Sequence, residues 1–298
     1  MIRLIEPFFQ YISFPISWVD DHTSTKNSIN YKTYAKIMDK QQNQGMTYRS
    51  LSENEAYALN SIRAEDLLVF GVEEIKALSG WERNRIHNTL SGLNEKGHVV
   101  RIKKDTYTLE EEFFDNTFRV ITEAVKPSYI TFWTALSYHG FTEQQVNMIQ
   151  LVSTKQFDDL KVRKKKVEIS TFKPKRFFGY DDVEGAVMAE KEKSLVDSLY
   201  MLHKSGGLEE YVKCLKNGYH ELDKETFREY IVDFDNRSLV SRMGFLLDIF
   251  NLADQEYLNH LKENASQSYV LLDPHGGSTE THNSDWNIKI NSEMEGLL

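Results

Sequence analysis

The chain has 298 residues, of which 40% are hydrophobic and 12% aromatic, enough for a sizeable core and about two domains. The formal net charge of −9 excludes a uniformly basic nucleic-acid binder but is compatible with a local basic patch. The single cysteine, Cys214, excludes an intrachain disulfide, and no Cys/His cluster has the spacing of a zinc site. We therefore expect a cytoplasmic protein without metal, cofactor or membrane span.

The composition of residues 1–45 predicts a non-globular leader segment rather than a folded domain. The first part is apolar, but Glu6 and two prolines interrupt the pattern of a signal peptide. Residues 22–45 are polar, rich in Asn, Gln, Ser and Thr, and show little periodicity. Met46 directly precedes the first convincing helix. We expect residues 1–45 to be disordered or to lie upstream of the natural start.

Residues 46–112 have the pattern of a winged helix-turn-helix. Ser52, followed by Glu55 three residues later, is a capping box that begins a helix. Two shorter helical patterns follow, and alternating residues around a Lys-Asp turn then predict a two-stranded hairpin. The predicted elements after the first helix are helices over 72–78 and 81–97, and a hairpin over 99–109.

The third helix and the hairpin predict a DNA-binding surface. Ile86, Leu90 and Leu93 recur at helical spacing and form the buried stripe. Arg and Asn read guanine and adenine edges in the major groove, and cations at a hairpin tip meet phosphates. The candidate DNA-binding residues are Arg83, Asn84, Arg85, His87, Asn88, Arg101, Lys103 and Lys104. The alternatives are a solvated helix face beside a charged turn, and a protein-docking module of the same fold.

The stretch PSYITFWTALSYHG predicts one buried helix that starts at Pro127 and Ser128 and stops at Gly140. Its apolar residues recur at helical spacing, which is typical of packing rather than of an aromatic ligand site. They are Tyr129, Phe132, Trp133 and Leu136. His139 lies in the last turn, where the helix dipole favours positive charge. No Ser, Cys or carboxylate stands near it at a catalytic spacing, so we expect a structural role.

Residues 113–298 predict a larger mixed domain. MIQLVS and VEISTF are strand patterns, and EKEKSLVDSLYMLHK is a helix with three leucines facing inward. Further helical patterns cover 208–215, 224–232 and 238–250, and strand patterns cover 269–272 and 286–290. The predicted fold class is α+β, with an N-terminal winged helix-turn-helix followed by a larger mixed α+β domain.

The order of these motifs resembles a known family. A winged helix followed by PSYITFWTALSYHGFTEQ, VEISTF, MAEKEKSLVDSLY, SRMGFLLDIF and YVLLDPHGG…WNIKIN resembles the AbiE-type antitoxins, transcriptional regulators of type IV toxin–antitoxin and abortive-infection systems. The resemblance covers residues 51–292. It implies a repressor that binds its own operator DNA through the winged helix. It also implies a C-terminal antitoxin domain that counteracts a nucleotidyltransferase-like toxin, without requiring a stable complex with it.

The resemblance also implies a basic antitoxin surface. Residues 151–180 contain nine Lys or Arg against three Asp or Glu, whereas residues 181–298 contain eleven against twenty-three. The surface maps to KVRKKKVEISTFKPKR, with the cations Lys161, Arg163, Lys164, Lys165, Lys166, Lys173, Lys175 and Arg176. Such a strand presents an electropositive face to nucleic acid or nucleotide phosphates. The alternative is an edge strand that its lysines protect from aggregation.

Two other functions stay open. The first is a stand-alone winged-helix transcription factor whose larger domain senses a ligand or a protein. The second is a metal-assisted nuclease built on Asp158, Asp159 and Lys161, although such a short motif is common by chance. The sequence contains no Walker loop, no HExxH and no nucleophile in a recognisable turn. We therefore expect no enzyme and no catalytic residues.

Overall fold

The computed structural model describes residues 50–292. Its N-terminal part consists of three helices followed by an antiparallel hairpin. These elements are α1 Glu53–Ala64, α2 Val72–Ser79, α3 Arg83–Glu95, β1 Val99–Lys103 and β2 Thr106–Leu109. Their types and order are those that the sequence predicts. The predicted leader, residues 1–45, lies outside the described residues.

Local sequence signals set the bounds of the first helices. Ser52 Oγ accepts a hydrogen bond from the backbone N–H of Glu55, and the Glu55 carboxylate accepts one from the N–H of Ser52, so the capping box is present. Helix α2 ends at Gly80, whose φ of +67° suits glycine. Apolar residues of all five elements form a small hydrophobic cluster that includes Ile62, Ile75 and Leu90.

The rest of the described chain has a second, larger hydrophobic cluster, and a six-stranded mixed sheet contributes to it. Its strands are β3 Ser128–Ile130, β4 Met148–Ser153, β5 Leu160–Val162, β6 Lys165–Thr171, β7 Tyr180–Val183 and β8 Ala186–Ala189. They lie in the order β5-β6-β4-β3-β8-β7. The pairs β4–β6 and β3–β8 are parallel, and the other neighbours are antiparallel. Strands β5 and β7 therefore form the two edges.

Helices cover the sheet and complete the larger cluster. They are α4 Glu110–Asp115, α5 Thr117–Ala124, α6 Phe132–Tyr138, α7 Lys191–Tyr200, α8 Gly207–Gly218, α9 Lys224–Asp233, α10 Arg237–Ile249 and α11 Gln255–Asn264. Helix α7 lies at their centre, contacts α6, α8, α9 and α10, and is buried on all sides from Glu192 to Leu199. The mixed helix and strand content confirms the predicted α+β class.

A small sheet closes the described chain. It consists of β9 Val270–Leu271, β10 His282–Asn283 and β11 Ile288–Lys289, in the order β10-β11-β9. Trp286 is buried beside it, and its ring lies directly against Gly244 of α10. The indole Nε1 donates a hydrogen bond of 2.8 Å to Asp248. These contacts hold the C-terminal strands onto α10.

The prediction of one helix over residues 127–140 is wrong. Residues 128–130 form strand β3, and the helix begins only at Phe132. The segment Ser128–Ile130 is fully buried and pairs with β4 on one side and β8 on the other, so sheet hydrogen bonds outweigh the local helical spacing. Tyr129 therefore shares no helix face with Phe132. The end at Gly140, with φ +77°, is as predicted.

Strand β1 contributes to both hydrophobic clusters. Val99 packs in the small cluster, whereas Val100 and Ile102 pack in the larger one. Strand β1 also contacts the edge strand β5 of the large sheet. The two clusters therefore meet along this strand. The predicted domain boundary at residue 112 stays a prediction.

Candidate nucleic-acid interface

Helix α3 has one buried side and one exposed ridge. Ile86, Leu90 and Leu93 are buried, as the spacing predicts. The opposite side carries three exposed polar residues at helical spacing, which we call the α3 ridge: Asn84, Asn88 and Ser91. The ridge is therefore a polar surface on a helix whose other side is fixed in a core.

Asn84 and Asn88 have no hydrogen bond of their side chains to other groups within residues 50–292. Each amide offers two donors and one acceptor at a position four residues from the other. The two amides therefore lie side by side on the ridge with their hydrogen-bonding capacity open to solvent.

Arg85 lies on the flank of α3 that faces α1. Its Nη2 donates a hydrogen bond to Asn54 Oδ1. The guanidinium carbon lies 4.1 Å from the centre of the Trp81 ring. Arg85 is exposed, yet two contacts fix its position. Neither Trp81 nor Asn54 was among the residues that the sequence suggested.

Arg83 and His87 lie on the other flank of α3. Arg83 forms an ion pair with Glu73 of α2, which raises the pKa of Arg83 and lowers the pKa of Glu73. His87 Nδ1 lies 3.8 Å from the carboxylate of Asp105 in the turn of the hairpin. Arg83 therefore connects α3 to α2, whereas His87 lies near the hairpin turn without a hydrogen bond to it.

The three hairpin cations have different surroundings. Lys104 is exposed and has no side-chain partner within the described part of the chain. Arg101 is exposed, and its Nε donates to the backbone oxygen of Lys103 at 3.3 Å. Lys103 is half-buried, 5.2 Å from the ring of Phe157, and burial together with nearby Lys155 lowers its pKa. Lys103 thus packs against the segment that connects β4 and β5 and is not fully exposed to solvent.

The predicted basic surface divides into two groups at opposite ends of β6. The first group, which we call the basic hairpin, lies on β5, β6 and their turn: Lys161, Arg163, Lys164, Lys165 and Lys166. The second lies in and before a short 3₁₀ turn: Lys173, Lys175 and Arg176. About 20 Å of strand separates the groups, given the rise per residue.

The basic hairpin is only partly neutralised. Arg163 donates to Glu110 at 2.8 Å and Lys166 to Glu168 at 2.5 Å. Lys161, Lys164 and Lys165 are exposed, without an ion pair in the described range. Lys161 also lies opposite Lys166 in the strand register, a like-charged pairing that is unfavourable in itself.

Glu168 is the main counter-charge of this region. Burial raises its pKa, but hydrogen bonds from Lys166, Lys204 and Gln150 outweigh burial and lower the pKa to about 2. Lys204 donates to it at 2.9 Å from the 3₁₀ turn 202–204. Glu168 therefore neutralises the charge of Lys166, which leaves fewer unpaired cations on the basic hairpin.

Arg176 is mainly a structural residue. It donates to the backbone oxygens of Phe234 and Asp235 at 2.9 and 3.0 Å, and to the hydroxyl of Tyr200 at 2.9 Å. Lys175 forms an ion pair with Asp235. Lys175 and Arg176 therefore attach this segment to the end of α9, whereas Lys173 is exposed without an ion pair in the described range, and the two groups do not form one surface.

Two further groups are structural. His139 has a lowered pKa because of burial, although its Nε2 lies 2.8 Å from the oxygen of Ala189, so the positive charge expected from the helix dipole is disfavoured. Asp159 Oδ1 accepts a hydrogen bond of 2.9 Å from the N–H of Ile169. Among residues 50–292, no group of three His, Cys, Asp or Glu is arranged to hold a metal ion.

Comparison with known proteins gives a fold but no family. No family model matches the chain, and no curated protein matches it. The crystal structure of the RV2827C protein from Mycobacterium tuberculosis is similar, with a TM-score of 0.58 and 10% identity over 80% of this chain and 92% of that one. At this identity the match shows a shared fold alone. In the described range no helix is long and apolar enough to cross a membrane.

Proposed function

We propose that this protein is the autoregulatory antitoxin of a type IV toxin–antitoxin system. In this proposal, α1–α3 and the β1–β2 hairpin act as a winged helix that binds operator DNA. The larger part counteracts a nucleotidyltransferase-like toxin. The observation that carries the DNA-binding half is the α3 ridge, which presents the unpaired amides of Asn84 and Asn88 beside a hairpin with exposed Arg101 and Lys104.

The chemistry of the ridge suits base recognition. An asparagine amide forms two hydrogen bonds with the N6 and N7 edge of adenine in the major groove. Because Ile86, Leu90 and Leu93 fix the opposite side of α3 in a core, the two amides stand in a defined orientation. Lys104 at the hairpin turn is suited to a backbone phosphate, which supplies affinity and register rather than sequence choice.

The basic hairpin supports the same interface. Strand β1 contacts β5, and Arg163 is bonded to Glu110 at the start of α4, so the basic hairpin lies beside the β1–β2 hairpin. The unpaired Lys161 and Lys164 add positive charge next to it. This proximity favours a role in anion binding over simple protection of an edge strand, because the cations lie next to the hairpin of the proposed winged helix.

The antitoxin half of the proposal rests on the resemblance of the motif order to AbiE-type antitoxins. We assign no catalytic residue to this chain. A stand-alone regulator that senses a ligand is the second candidate, and one observation favours it. A cavity of about 300 Å³ lies beside β8, with the exposed rings of Phe114 and Tyr138 at its rim.

The first test is binding of the full chain to its own upstream DNA, measured by fluorescence anisotropy against a scrambled duplex. Asn84→Ala and Asn88→Ala should each weaken binding to the upstream DNA by about 1–3 kcal/mol. Binding to the scrambled duplex should change little, since bases and not phosphates are lost. Asn259→Ala, an exposed asparagine on α11, is the matched control.

Equal binding of all variants to both duplexes would contradict the assignment of α3. A second arm co-expresses the chain with a nucleotidyltransferase encoded beside it. Rescue of growth should persist in Asn84→Ala and Asn88→Ala, because the proposal separates repression from toxin counteraction. An unrelated neighbouring gene and no rescue would favour the ligand-sensing regulator.

A further inference from the structure

Arg85 is exposed but held in one place. Its guanidinium carbon lies 4.1 Å above the centre of the Trp81 ring, and its Nη2 donates to Asn54 Oδ1 at the start of α1. No other hydrogen bond of its side chain occurs within residues 50–292. A guanidinium has five N–H donors around its edge, so most of them remain open while the group lies over the indole.

Trp81 is itself fixed by contacts on two sides. Its backbone N–H donates to Ser79 Oγ at 3.1 Å, in the turn between α2 and α3. The Tyr57 ring lies 5.1 Å from the Trp81 ring, and the Tyr57 hydroxyl donates to the oxygen of Leu78 at 3.1 Å. Tyr57, Trp81 and Arg85 therefore lie in successive contact, with the two rings tilted by 41°, and connect α1, the turn and α3. We call these three residues the Trp81 stack.

The position of the Trp81 stack differs from that of the α3 ridge. With about 100° per residue, Arg85 points about 90° away from the middle of the ridge, toward α1. When the ridge lies in a major groove, the flank of the helix faces the sugar–phosphate backbone that borders the groove. An arginine that is held over an aromatic ring and keeps most of its N–H donors unpaired is a preorganised phosphate ligand.

We propose that Trp81 is a positioning residue that holds Arg85 for contact with a DNA phosphate beside the bases that the α3 ridge reads. The inference rests on the proposed DNA-binding function and deepens it. It replaces the expectation that Arg85 reads guanine. Arg85 thus contributes affinity and salt dependence, whereas Asn84 and Asn88 contribute the choice of base.

The test measures binding of full-length variants to the upstream DNA, to single-base-pair variants of it and over a series of salt concentrations. Arg85→Ala should weaken binding by about tenfold on every duplex alike and reduce the slope of log affinity against log salt by about one. Trp81→Leu should lower affinity in the same uniform way with the arginine still present. Trp81→Phe should restore most of it, because a ring is available again for stacking.

A thermal-unfolding midpoint accompanies each variant. Should Trp81→Leu fail to fold, Asn54→Ala tests the same idea, since it removes only the other contact of Arg85 from a half-buried surface position. It should weaken binding several-fold on all duplexes. Relaxed discrimination at one base pair in Arg85→Ala would overturn the phosphate assignment.

Wild-type affinity in a folded Trp81→Leu would overturn the positioning role. These failures differ from failure of the proposed function. In that case the wild-type protein would bind its upstream DNA and a scrambled duplex equally, and both ideas would fall together.

Discussion

Lys193 and Asp197 form an ion pair that has no exposure to solvent. The carboxylate also accepts hydrogen bonds from Tyr129 at 3.0 Å and Thr131 at 2.8 Å. The ammonium donates to the Tyr129 hydroxyl at 2.9 Å and lies 4.9 Å from the centre of the Phe178 ring. The network joins α7 to β3 and the start of α6. Every charged atom in it depends on a partner, because burial removes water from all of them.

Removal of one partner should therefore be costly. Asp197→Ala leaves a buried, unpaired lysine, and we expect the free energy of unfolding to fall by about 3–5 kcal/mol in urea titrations followed by circular dichroism. The double variant Lys193→Met with Asp197→Leu should lose less than Asp197→Ala, because no buried charge remains at this site. A loss below about 1 kcal/mol for Asp197→Ala would contradict this assignment.

Glu168 provides a prediction that depends on pH. Its folded pKa of about 2 lies below the value of 4.5 for an unperturbed glutamate. The ionised carboxylate therefore stabilises the fold above pH ~4.5, and this contribution disappears as the pH falls toward 2. Glu168→Gln should lower the free energy of unfolding by about 2 kcal/mol at pH 7, with a difference from wild type that shrinks between pH ~4.5 and ~2. Glu256→Gln, at an exposed site without an ion pair in the described range, is the control.

Helix α10 and the last strands are joined by one close approach. A Cβ added to Gly244 would lie 2.0 Å from the Trp286 ring, which is buried and bonded to Asp248. Gly244→Ala should therefore destabilise the protein by about 1–3 kcal/mol in thermal or urea unfolding, more than alanine's gain in helix propensity. Trp286→Leu combined with Gly244→Ala should cost less than the sum of the two single changes. If the losses in free energy of unfolding of the two single variants add up in the double variant, the Trp286 ring does not contact Gly244.

At the scale of elements, local signals predicted some boundaries well and others badly. The capping box at Ser52 and the apolar stripe of α3 depend on residues within one or two turns, so the sequence determines them. Strand β3 depends on pairing with β4 and β8, whose partner residues lie more than twenty positions away. Helical spacing within PSYITFWTALSYHG carries no information about that pairing, so the predicted helix began too early.

The candidate site follows the same division. Asn84 and Asn88 were identified because a helical angle alone places them opposite the buried stripe. Arg176 was assigned to a basic surface because its neighbours in sequence are cations, whereas its bonds go to Phe234 and Asp235, almost sixty residues later. Trp81 gave no signal of its own. Its contact with Arg85 depends on the turn between α2 and α3, whereas the sequence pattern places Trp81 at the start of the third helix, which begins only at Arg83.

At the scale of the whole molecule, strand β1 belongs to the N-terminal elements but contributes side chains to the hydrophobic clusters on both sides. Ion pairs and ring contacts across this junction, such as Arg163 with Glu110 and Lys103 with Phe157, add to the apolar contacts of β1. The sequence suggested a division at residue 112 because the hairpin ends nearby. It gave no sign that alternate residues of one strand face different neighbours.

Strand β1 has a practical consequence for anyone who shortens this protein. A fragment that stops near residue 112 would keep Val99 covered but would expose Val100 and Ile102, which the larger cluster buries. Such a fragment would expose an apolar surface on β1 and would self-associate in solution.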